Sequence, residues 1–226
     1  MKELIKKAMS LTGFGIYRIG AATNTPPKPV VKSALHHNSK DGLNEFYSDK
    51  DLVESYLDMQ FYERLVDLLA SRGVTYKGKL VADVGCGIGH LLKFVAPSAP
   101  HSLTGFDYSE NALAIARSQL PEIDFQYLDL YKPPEAKFDV IFCIEVLEHL
   151  LYPDTALRNL LQMMASSGVA LLTVPNGRTD TFEGHINFWS PESWRVFVER
   201  NCANCTIETG LMEDGATNFA VVSKES

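Results

Sequence analysis

The feature that most restricts the fold of this chain is the segment FDVIFCI, residues 138–144. Apart from its one aspartate the segment is apolar, so as a strand it would present apolar side chains on both faces. Strands of this kind are typical of the middle of a parallel sheet, because helices cover both sides of such a sheet. The segment is therefore predicted to be a central strand.

Strand and helix patterns alternate on both sides of this segment. The other predicted strands are 80–84, 102–106, 123–128, 168–174, 204–212 and 217–223. The predicted helices are 51–71, 89–96, 111–119, 154–165 and a last one from Pro191 to about residue 200, capped by Ser190. This alternation predicts an α/β fold with a doubly wound, mostly parallel sheet, and the last two strands form an antiparallel hairpin at its edge.

A glycine-rich stretch, DVGCGIGH at residues 83–90, follows the first predicted strand. Gly85, Gly87 and Gly89 permit positive φ angles and let a ligand approach the backbone closely. The spacing is not that of the dinucleotide fingerprint, and the Gly-Lys-Ser/Thr of a phosphate-binding loop is absent. Asp83 disfavours an anion beside the loop, so the stretch indicates a ligand with a cationic group.

Acidic residues end the neighbouring strands. Asp107 ends the second strand, where a carboxylate can accept both hydroxyls of a ribose. Asp129, with Leu130, follows the third strand, where it can accept from the exocyclic amine of adenine. The fourth strand runs into Ile144 and Glu145 at the predicted switch point of the sheet, where ligands of such folds bind.

Taken together, these motifs resemble the class I S-adenosylmethionine-dependent methyltransferases. The resemblance covers about residues 45–223 and rests on VADVGCGIGH, GFDYS, QYLDL, FDVIFCIEVLEHL and GVALLTVPN. It implies a Rossmann-like, seven-stranded sheet of order 3-2-1-4-5-7-6 with strand 7 antiparallel. It also implies an enzyme whose cofactor is S-adenosyl-L-methionine.

The resemblance assigns parts of the cofactor to individual residues. The methionine part would lie on the glycine loop with its ammonium near Asp83, and the adenine would pack on Tyr108. Ile144 and Glu145 would border the sulfonium and the acceptor cavity. The implied cofactor-binding set is Asp83, Gly85, Cys86, Gly87, Gly89, Asp107, Tyr108, Asp129, Leu130, Ile144 and Glu145.

Two histidines are the candidate catalytic residues. An oxygen nucleophile must lose its proton, which requires a base or a metal. His149, in EVLEH, is the favoured base, and His185, in GHINFWS, is the second candidate. Both histidines, with Glu145 and Glu148, also match the metal cluster of the small-RNA 3′-terminal 2′-O-methyltransferases. A divalent metal is therefore an alternative, not the favoured one, and a purely structural role for these residues is a third.

The details of the pattern look most like the O-methyltransferases of ubiquinone biosynthesis, and also like bacterial methyltransferases of polysaccharide and lipid-linked sugar synthesis. They imply a small-molecule acceptor, a quinone-type phenol or a sugar, methylated on a hydroxyl. Two alternatives stay open: a metal-assisted RNA 3′-terminal 2′-O-methyltransferase and a non-catalytic cofactor-binding module. The formal net charge of −7 argues against a nucleic-acid partner.

Three regions are predicted along the chain: a basic N-terminal segment with a proline-rich link (1–32), a helical lid (33–78) and the cofactor-binding core (79–226). In the resembling family such a lid often covers the cofactor, so Tyr47 and Tyr56 are candidate contacts. His36 and His37 are predicted to be solvated.

The acceptor and the setting of the protein are also predicted. Phe182, Phe188 and Trp189 either line the acceptor pocket or pack in the core. The four cysteines lack disulfide-framework spacing and no signal peptide is recognisable, which favours a cytoplasmic protein. A monomer or homodimer is expected, and weak contact of the N-terminal segment with a membrane surface is an alternative to its packing on protein.

Overall fold

The structure, a computed structural model, describes residues 30–49 and 58–224. A seven-stranded sheet forms the centre of this part of the chain. The strands are β1 Leu80–Val84, β2 Ser102–Asp107, β3 Asp124–Tyr127, β4 Phe138–Ile144, β5 Met164–Pro175, β6 Cys205–Met212 and β7 Thr217–Lys224. Their order is β3-β2-β1-β4-β5-β7-β6. Only β7 runs antiparallel to its neighbours, so the predicted topology is confirmed.

The helices of the described part are α1 Val30–His37, α2 Lys40–Ser48, α3 Met59–Ala70, α4 His90–Val95, α5 Glu110–Gln119, α6 Pro153–Gln162 and α7 Pro191–Asn201. Short 3-10 turns lie at Ala96–Ser98, Leu147–His149 and Glu213–Gly215. Ser190 caps α7 and Pro191 is its first residue, as predicted. Within the part of the chain that the structure describes, no helix combines the length and apolarity that crossing a membrane requires.

The burial of β4 explains why its sequence is apolar on both faces. Ile141 and Cys143 point into a core cluster that includes Trp194 from α7. Val140 and Phe142 point to the opposite face, into a cluster that α3 and α4 complete. These four side chains are nearly inaccessible to solvent, and β4 lies between β1 and β5, which confirms that the strand is central.

Two predicted helices differ from the structure by more than one residue at one end. The helix predicted over 51–71 begins at Met59, where the Asp58 carboxylate accepts the N–H groups of the next turn; residues 50–57 lie outside the described part. The prediction that α6 extends to residue 165 was wrong. The helix ends at Gln162 with Met163 as its cap, and the Met163 carbonyl accepts a hydrogen bond from the Phe138 N–H. Met164 pairs with Phe138 as the first residue of β5.

The predicted lid region contributes α1 and α2, which belong to the same compact unit as the sheet from Val31 onward. Asn44 of α2 accepts hydrogen bonds at its Oδ1 from the Ser109 hydroxyl (2.8 Å) and from the Asn111 N–H (3.3 Å). Asn111 in turn donates to the Asn44 carbonyl and to the Ser48 hydroxyl. These contacts hold α2 beside the start of α5, close to the carboxyl end of β2.

Candidate active site

The glycine loop after β1 uses a backbone conformation that other residues adopt at a cost. Gly85, Gly87 and Gly89 have φ angles of 81°, 52° and 83°. A Cβ on Gly85 would also clash with Cγ2 of Val146, and one on Gly89 would lie 2.7 Å from the Phe125 ring. The loop is therefore restricted to glycine by both backbone angle and space.

Substitution of Gly85 tests this restriction. We expect Gly85→Ala to cost about 2–4 kcal/mol of unfolding free energy, because the positive φ costs about 1–2 kcal/mol and the overlap with Val146 adds about 1–2 more. Gly78→Ala is the matched control, since Gly78 has a similar φ of 69° but open space around it. Denaturant unfolding measures both values. Equal losses in the two variants would show that Val146 does not restrict the loop.

Asp107 connects the end of β2 to the glycine loop. Its Oδ2 accepts the N–H of Gly87 at 2.8 Å, and its Oδ1 accepts the N–H of Ser109 at 2.7 Å. The side chain is only 8% exposed. Burial raises the pKa of Asp107, and the backbone N–H donors oppose that shift by stabilising its charge. The carboxylate thus shapes the loop and keeps further lone pairs for a ligand.

Asp83 at the end of β1 is 3% exposed and lies near Asp107. Burial, followed by the repulsion from Asp107, raises the pKa of Asp83 to about 8. A cation placed here would relieve both effects by stabilising the ionised form. The electrostatics of the loop therefore fit a cationic ligand group, as the sequence indicates.

Cys86 and Leu130, both in the predicted cofactor set, have side chains that face the core. The Cys86 thiol packs in a cluster with Leu92 and Leu113, and burial raises its pKa. Leu130 packs in the large cluster beside α6. Either residue can therefore meet a ligand mainly through its backbone.

The predicted adenine end of the site has an open aromatic wall. Tyr108 is 37% exposed and its ring centroid lies 5.5 Å from that of Tyr127. Asp129 accepts the N–H of Tyr131 at 3.1 Å and forms an ion pair with Lys132. An exposed ring and a carboxylate at adjacent strand ends suit a flat base with an exocyclic amine.

Tyr47 on α2 contacts the glycine loop. Its hydroxyl lies 2.9 Å from the position that a Cβ on Gly87 would occupy. Burial raises the pKa of Tyr47 well above its usual value, and the charge of Asp107 adds to the shift. The lid region therefore meets the loop through Tyr47, whereas Tyr56 lies outside the described residues.

Glu145, directly after β4, is strained and poorly solvated. Its φ is 55°, and its N–H donates to the Thr173 carbonyl at 3.1 Å. Burial raises the pKa of Glu145 to about 7. Its Oε1 is buried and has no hydrogen-bond partner among the described residues. Left-handed backbone at a non-glycine residue is often found at functional sites.

Glu148, His149 and His185 form one cluster, which contacts His37 of α1 through the His149 ring. Both imidazole Nε2 atoms lie near Oε1 of Glu148, at 3.8 Å for His149 and 3.9 Å for His185. The two ring centroids are 4.7 Å apart. Glu148 is inaccessible to solvent, and neither of its carboxyl oxygens has a hydrogen-bond partner among the described residues.

Burial acts on the pKa values of this cluster in opposite directions. It raises the pKa of Glu148 well above its usual range, and Glu145 adds to that shift. It lowers the pKa of His149 to about 3, with repulsion from His185 and His37 as the lesser causes. Both effects favour neutral groups, so His149 is an unprotonated imidazole around neutral pH.

Three neighbours of this cluster were not predicted to lie at the site. Oδ2 of Asp180 accepts a hydrogen bond from Nδ1 of His185 at 2.6 Å. Oδ1 of Asn38 lies 2.8 Å from Nδ1 of His149. His37 packs against the rings of His149 and Phe182, so the prediction that it is solvated was wrong. His36 is exposed, as predicted. No motif marks Asn38 or His37, whereas Asp180 is only five residues from His185.

The three aromatic residues near His185 differ in their surroundings. Phe182 lies 4.8 Å from the His185 ring, and Phe188 is half exposed. Trp189 packs on Trp194 and Phe197 instead. Phe182 and Phe188 are therefore available to an acceptor, whereas Trp189 belongs to the packing around α7.

The sheet order, the glycine loop after β1 and the acids at the ends of β1, β2 and β4 define a class I S-adenosylmethionine-dependent methyltransferase. A protein-family model described as a methyltransferase domain matches residues 54–206. The chain belongs to this methyltransferase-domain family, whose cofactor is S-adenosylmethionine.

Curated relatives and a solved structure agree with this assignment. The ubiquinone biosynthesis O-methyltransferase of Aromatoleum aromaticum (strain DSM 19018 / LMG 30748 / EbN1) is 31% identical over 161 residues, 68% of this chain and 64% of the relative. The enzyme of the same description from Azoarcus sp. (strain BH72) is 35% identical over 162 residues, 68% of this chain and 65% of the relative. The chain thus spans slightly less than two thirds of these relatives' length.

The N-methyltransferase NodS from Bradyrhizobium japonicum WM9, solved with S-adenosyl-L-homocysteine, superposes with a TM-score of 0.66 at 20% identity. The alignment covers 84% of this chain and all of that chain. At this identity the likeness establishes the fold.

Proposed function

We propose that the chain transfers the methyl group of S-adenosylmethionine to a hydroxyl of a small-molecule acceptor, a quinone-type phenol or a sugar. The observation that carries the proposal is the cluster of His149, His185 and Glu148 next to the end of β4, since it offers proton acceptors at the switch point of the sheet. The O-methyltransferase relatives support a hydroxyl acceptor. A cytoplasmic location stays a prediction.

The proposed cofactor contacts follow the strand ends. Asp107 would accept the ribose hydroxyls and the glycine loop would carry the methionine part. Asp83 would stabilise the ammonium group. That positive charge would in turn favour the ionised form of the Asp83 carboxyl, whose pKa is raised by burial and by Asp107. Tyr108 would pack on the adenine, with Asp129 at its amine edge. Ile144 and Glu145 would face the methyl group.

The proposed chemistry needs alignment, exclusion of water and one proton acceptor. S-adenosylmethionine would supply the methyl group from its sulfonium and leave as S-adenosylhomocysteine, and Nε2 of His149 would accept the proton that the acceptor hydroxyl loses. A hydroxyl becomes strongly acidic as its oxygen bonds to methyl, so an imidazole of low pKa can take the proton late in the reaction. The lid, through His37 and Tyr47, would exclude water.

A second candidate is metal-assisted transfer, and one observation favours it. Ligand atoms of Glu148, His149 and His185 all lie within 4.8 Å of one another. Neutral imidazoles and a carboxylate are suitable ligands for Mn²⁺ or Zn²⁺, and a divalent ion there would lower the pKa of the acceptor hydroxyl. A metal-assisted 2′-O-methylation of RNA 3′ ends is disfavoured, because the net charge of −7 would repel the phosphate backbone of the RNA.

Chelator treatment separates the two candidates. For the favoured mechanism we expect methyl transfer to survive dialysis against EDTA, because His149 accepts the proton without a metal. Elemental analysis and calorimetric titration with Mg²⁺, Mn²⁺ and Zn²⁺ accompany the assay. Activity that disappears and returns with one equivalent of metal, and fails to return in Glu148→Gln, would replace the base mechanism with the metal one.

An acceptor panel tests the function itself. Purified protein and methyl-labelled S-adenosylmethionine are incubated with catechols and quinols, with sugars, and with RNA 3′ ends, and S-adenosylhomocysteine is quantified. We expect turnover with a phenol or a sugar. Tight cofactor binding without transfer to any acceptor would instead support the non-catalytic module.

A further inference from the structure

We propose that Asn38, between α1 and α2, is a positioning residue that fixes the tautomer of His149 and so leaves the Nε2 lone pair free to accept a proton. The catalytic value of this role rests on the proposed function. The tautomer does not, because it follows from hydrogen-bond geometry alone.

The orientation of the Asn38 amide is determined by its two partners. Its Nδ2 lies 2.8 Å from the carbonyl oxygen of Gly184, which can only accept a hydrogen bond. The amide nitrogen must therefore face Gly184, and Oδ1 must face Nδ1 of His149, at 2.8 Å. Since an amide oxygen has no hydrogen to donate, Nδ1 of His149 carries one.

The position of that hydrogen decides what the other ring nitrogen can do. A neutral imidazole has one N–H, and the hydrogen bond made by one nitrogen sets the state of the other. With the hydrogen on Nδ1, Nε2 has a free lone pair that points toward Glu148 and His185. This is the state that a base requires.

The neighbouring histidine is arranged in the same way. Asp180 Oδ2 accepts from Nδ1 of His185, which leaves Nε2 of that ring free on the side of Glu148. Both imidazoles of the cluster thus have an acceptor oxygen behind Nδ1. One such contact could be explained by packing alone. Because both rings have the same arrangement, the contacts are better explained by a role in orienting the two imidazoles.

The position of Asn38 links the base to the lid. Asn38 is 111 residues from His149 in the sequence, and it directly precedes Ser39, the cap of α2. The same helix carries Tyr47 over Gly87. The base is consequently oriented only while the lid region is seated on the site.

The ring tautomers can be read from nitrogen-15 chemical shifts of histidine-labelled protein at neutral pH, with His149 assigned by its loss in His149→Gln. We expect wild-type His149 to be protonated at Nδ1. Asn38→Leu, which has a similar shape and no acceptor, should shift the ring toward the Nε2-protonated form. Asn38→Asp loses the donor to Gly184 but keeps an acceptor oxygen for Nδ1 of His149, so it should preserve the wild-type tautomer.

Asn111→Ala is the matched control, because it removes hydrogen bonds between α5 and α2 without touching a histidine. Its His149 tautomer should stay unchanged. A wild-type ring protonated at Nε2, or an unchanged tautomer in Asn38→Leu, would overturn the proposal. The wild-type spectrum remains decisive if Asn38→Leu fails to fold.

A kinetic comparison tests the catalytic value separately. With an acceptor from the panel, Asn38→Leu should lower kcat at least tenfold with little change in the KM for S-adenosylmethionine, and Asn38→Asp should restore much of it. A shifted tautomer with normal kcat would refute the base role of His149 and leave the structural assignment intact. Absence of turnover in the wild type would refute the proposed function alone.

Discussion

Replacement of Asp107 by alanine is expected to raise the Kd for S-adenosylmethionine by about 10²- to 10⁴-fold. Two contributions are lost: the hydrogen bond that shapes the loop at Gly87 and the proposed bonds to the ribose hydroxyls. Hydrogen bonds to a charged group contribute about 1.5–3 kcal/mol each, and two of them account for this range. Calorimetric titration with the cofactor or with S-adenosylhomocysteine measures the change.

Asp124→Ala is the control for the loss of one negative charge, because Asp124 is an exposed residue on the adjacent strand β3. Its Kd should stay within about twofold of the wild type, which corresponds to less than about 0.5 kcal/mol. Asp107→Asn keeps one acceptor oxygen and should bind with intermediate affinity. Near-normal binding by a folded Asp107→Ala protein would place the ribose elsewhere and would undermine the cofactor assignment at all three strand ends.

His149→Asn is expected to lower kcat by about 10²- to 10⁴-fold, the usual contribution of a general base. Asparagine places an amide nitrogen near the position of Nδ1, so the contact with Asn38 can persist while Nε2 is removed. Cofactor affinity should be unchanged, because the ring of His149 contacts His37, Asn38, Glu148 and His185 rather than a residue of the proposed cofactor set. Single-turnover methyl transfer and calorimetry provide the two readouts.

His36→Ala is the matched control, since His36 lies on the same lid helix α1 but is exposed and pairs with Glu45. It should retain wild-type kcat. Activity of His149→Asn within a few-fold of the wild type would exclude His149 as the base. His185→Asn would then be the next variant to measure, because its Nε2 faces the same carboxyl group.

The sheet could be predicted closely because its strands have strong local signals. The bounds of β1 and β4 agree with the prediction, because Gly85 and Glu145 end the apolar runs and so mark where each strand stops. The terminal hairpin was also predicted within one residue at each end. The end of α6 was missed because Met163 and Met164 suit a helix equally well, and only pairing with Phe138 makes the latter part of a strand.

The convergence of the strand-end acids was predictable for a related reason. In a parallel sheet the carboxyl ends of neighbouring strands meet at one edge, so Asp83 and Asp107 had to lie close together once the strand order was known. The structure adds that Asp107 holds Gly87 and that Cys86 faces the core. Neither fact follows from the spacing, because each depends on which way a side chain points.

The sequence by itself determined the class of fold, the glycine loop and the order of acids along the strand ends, because these depend on local periodicity and on the geometry of parallel strands. Only the tertiary structure decided that Asn38 meets His149 and that Tyr47 meets Gly87. These contacts join segments far apart in the chain through single hydrogen bonds and ring packing. Such contacts leave no periodic pattern, so they emerge only when the lid region is placed on the sheet.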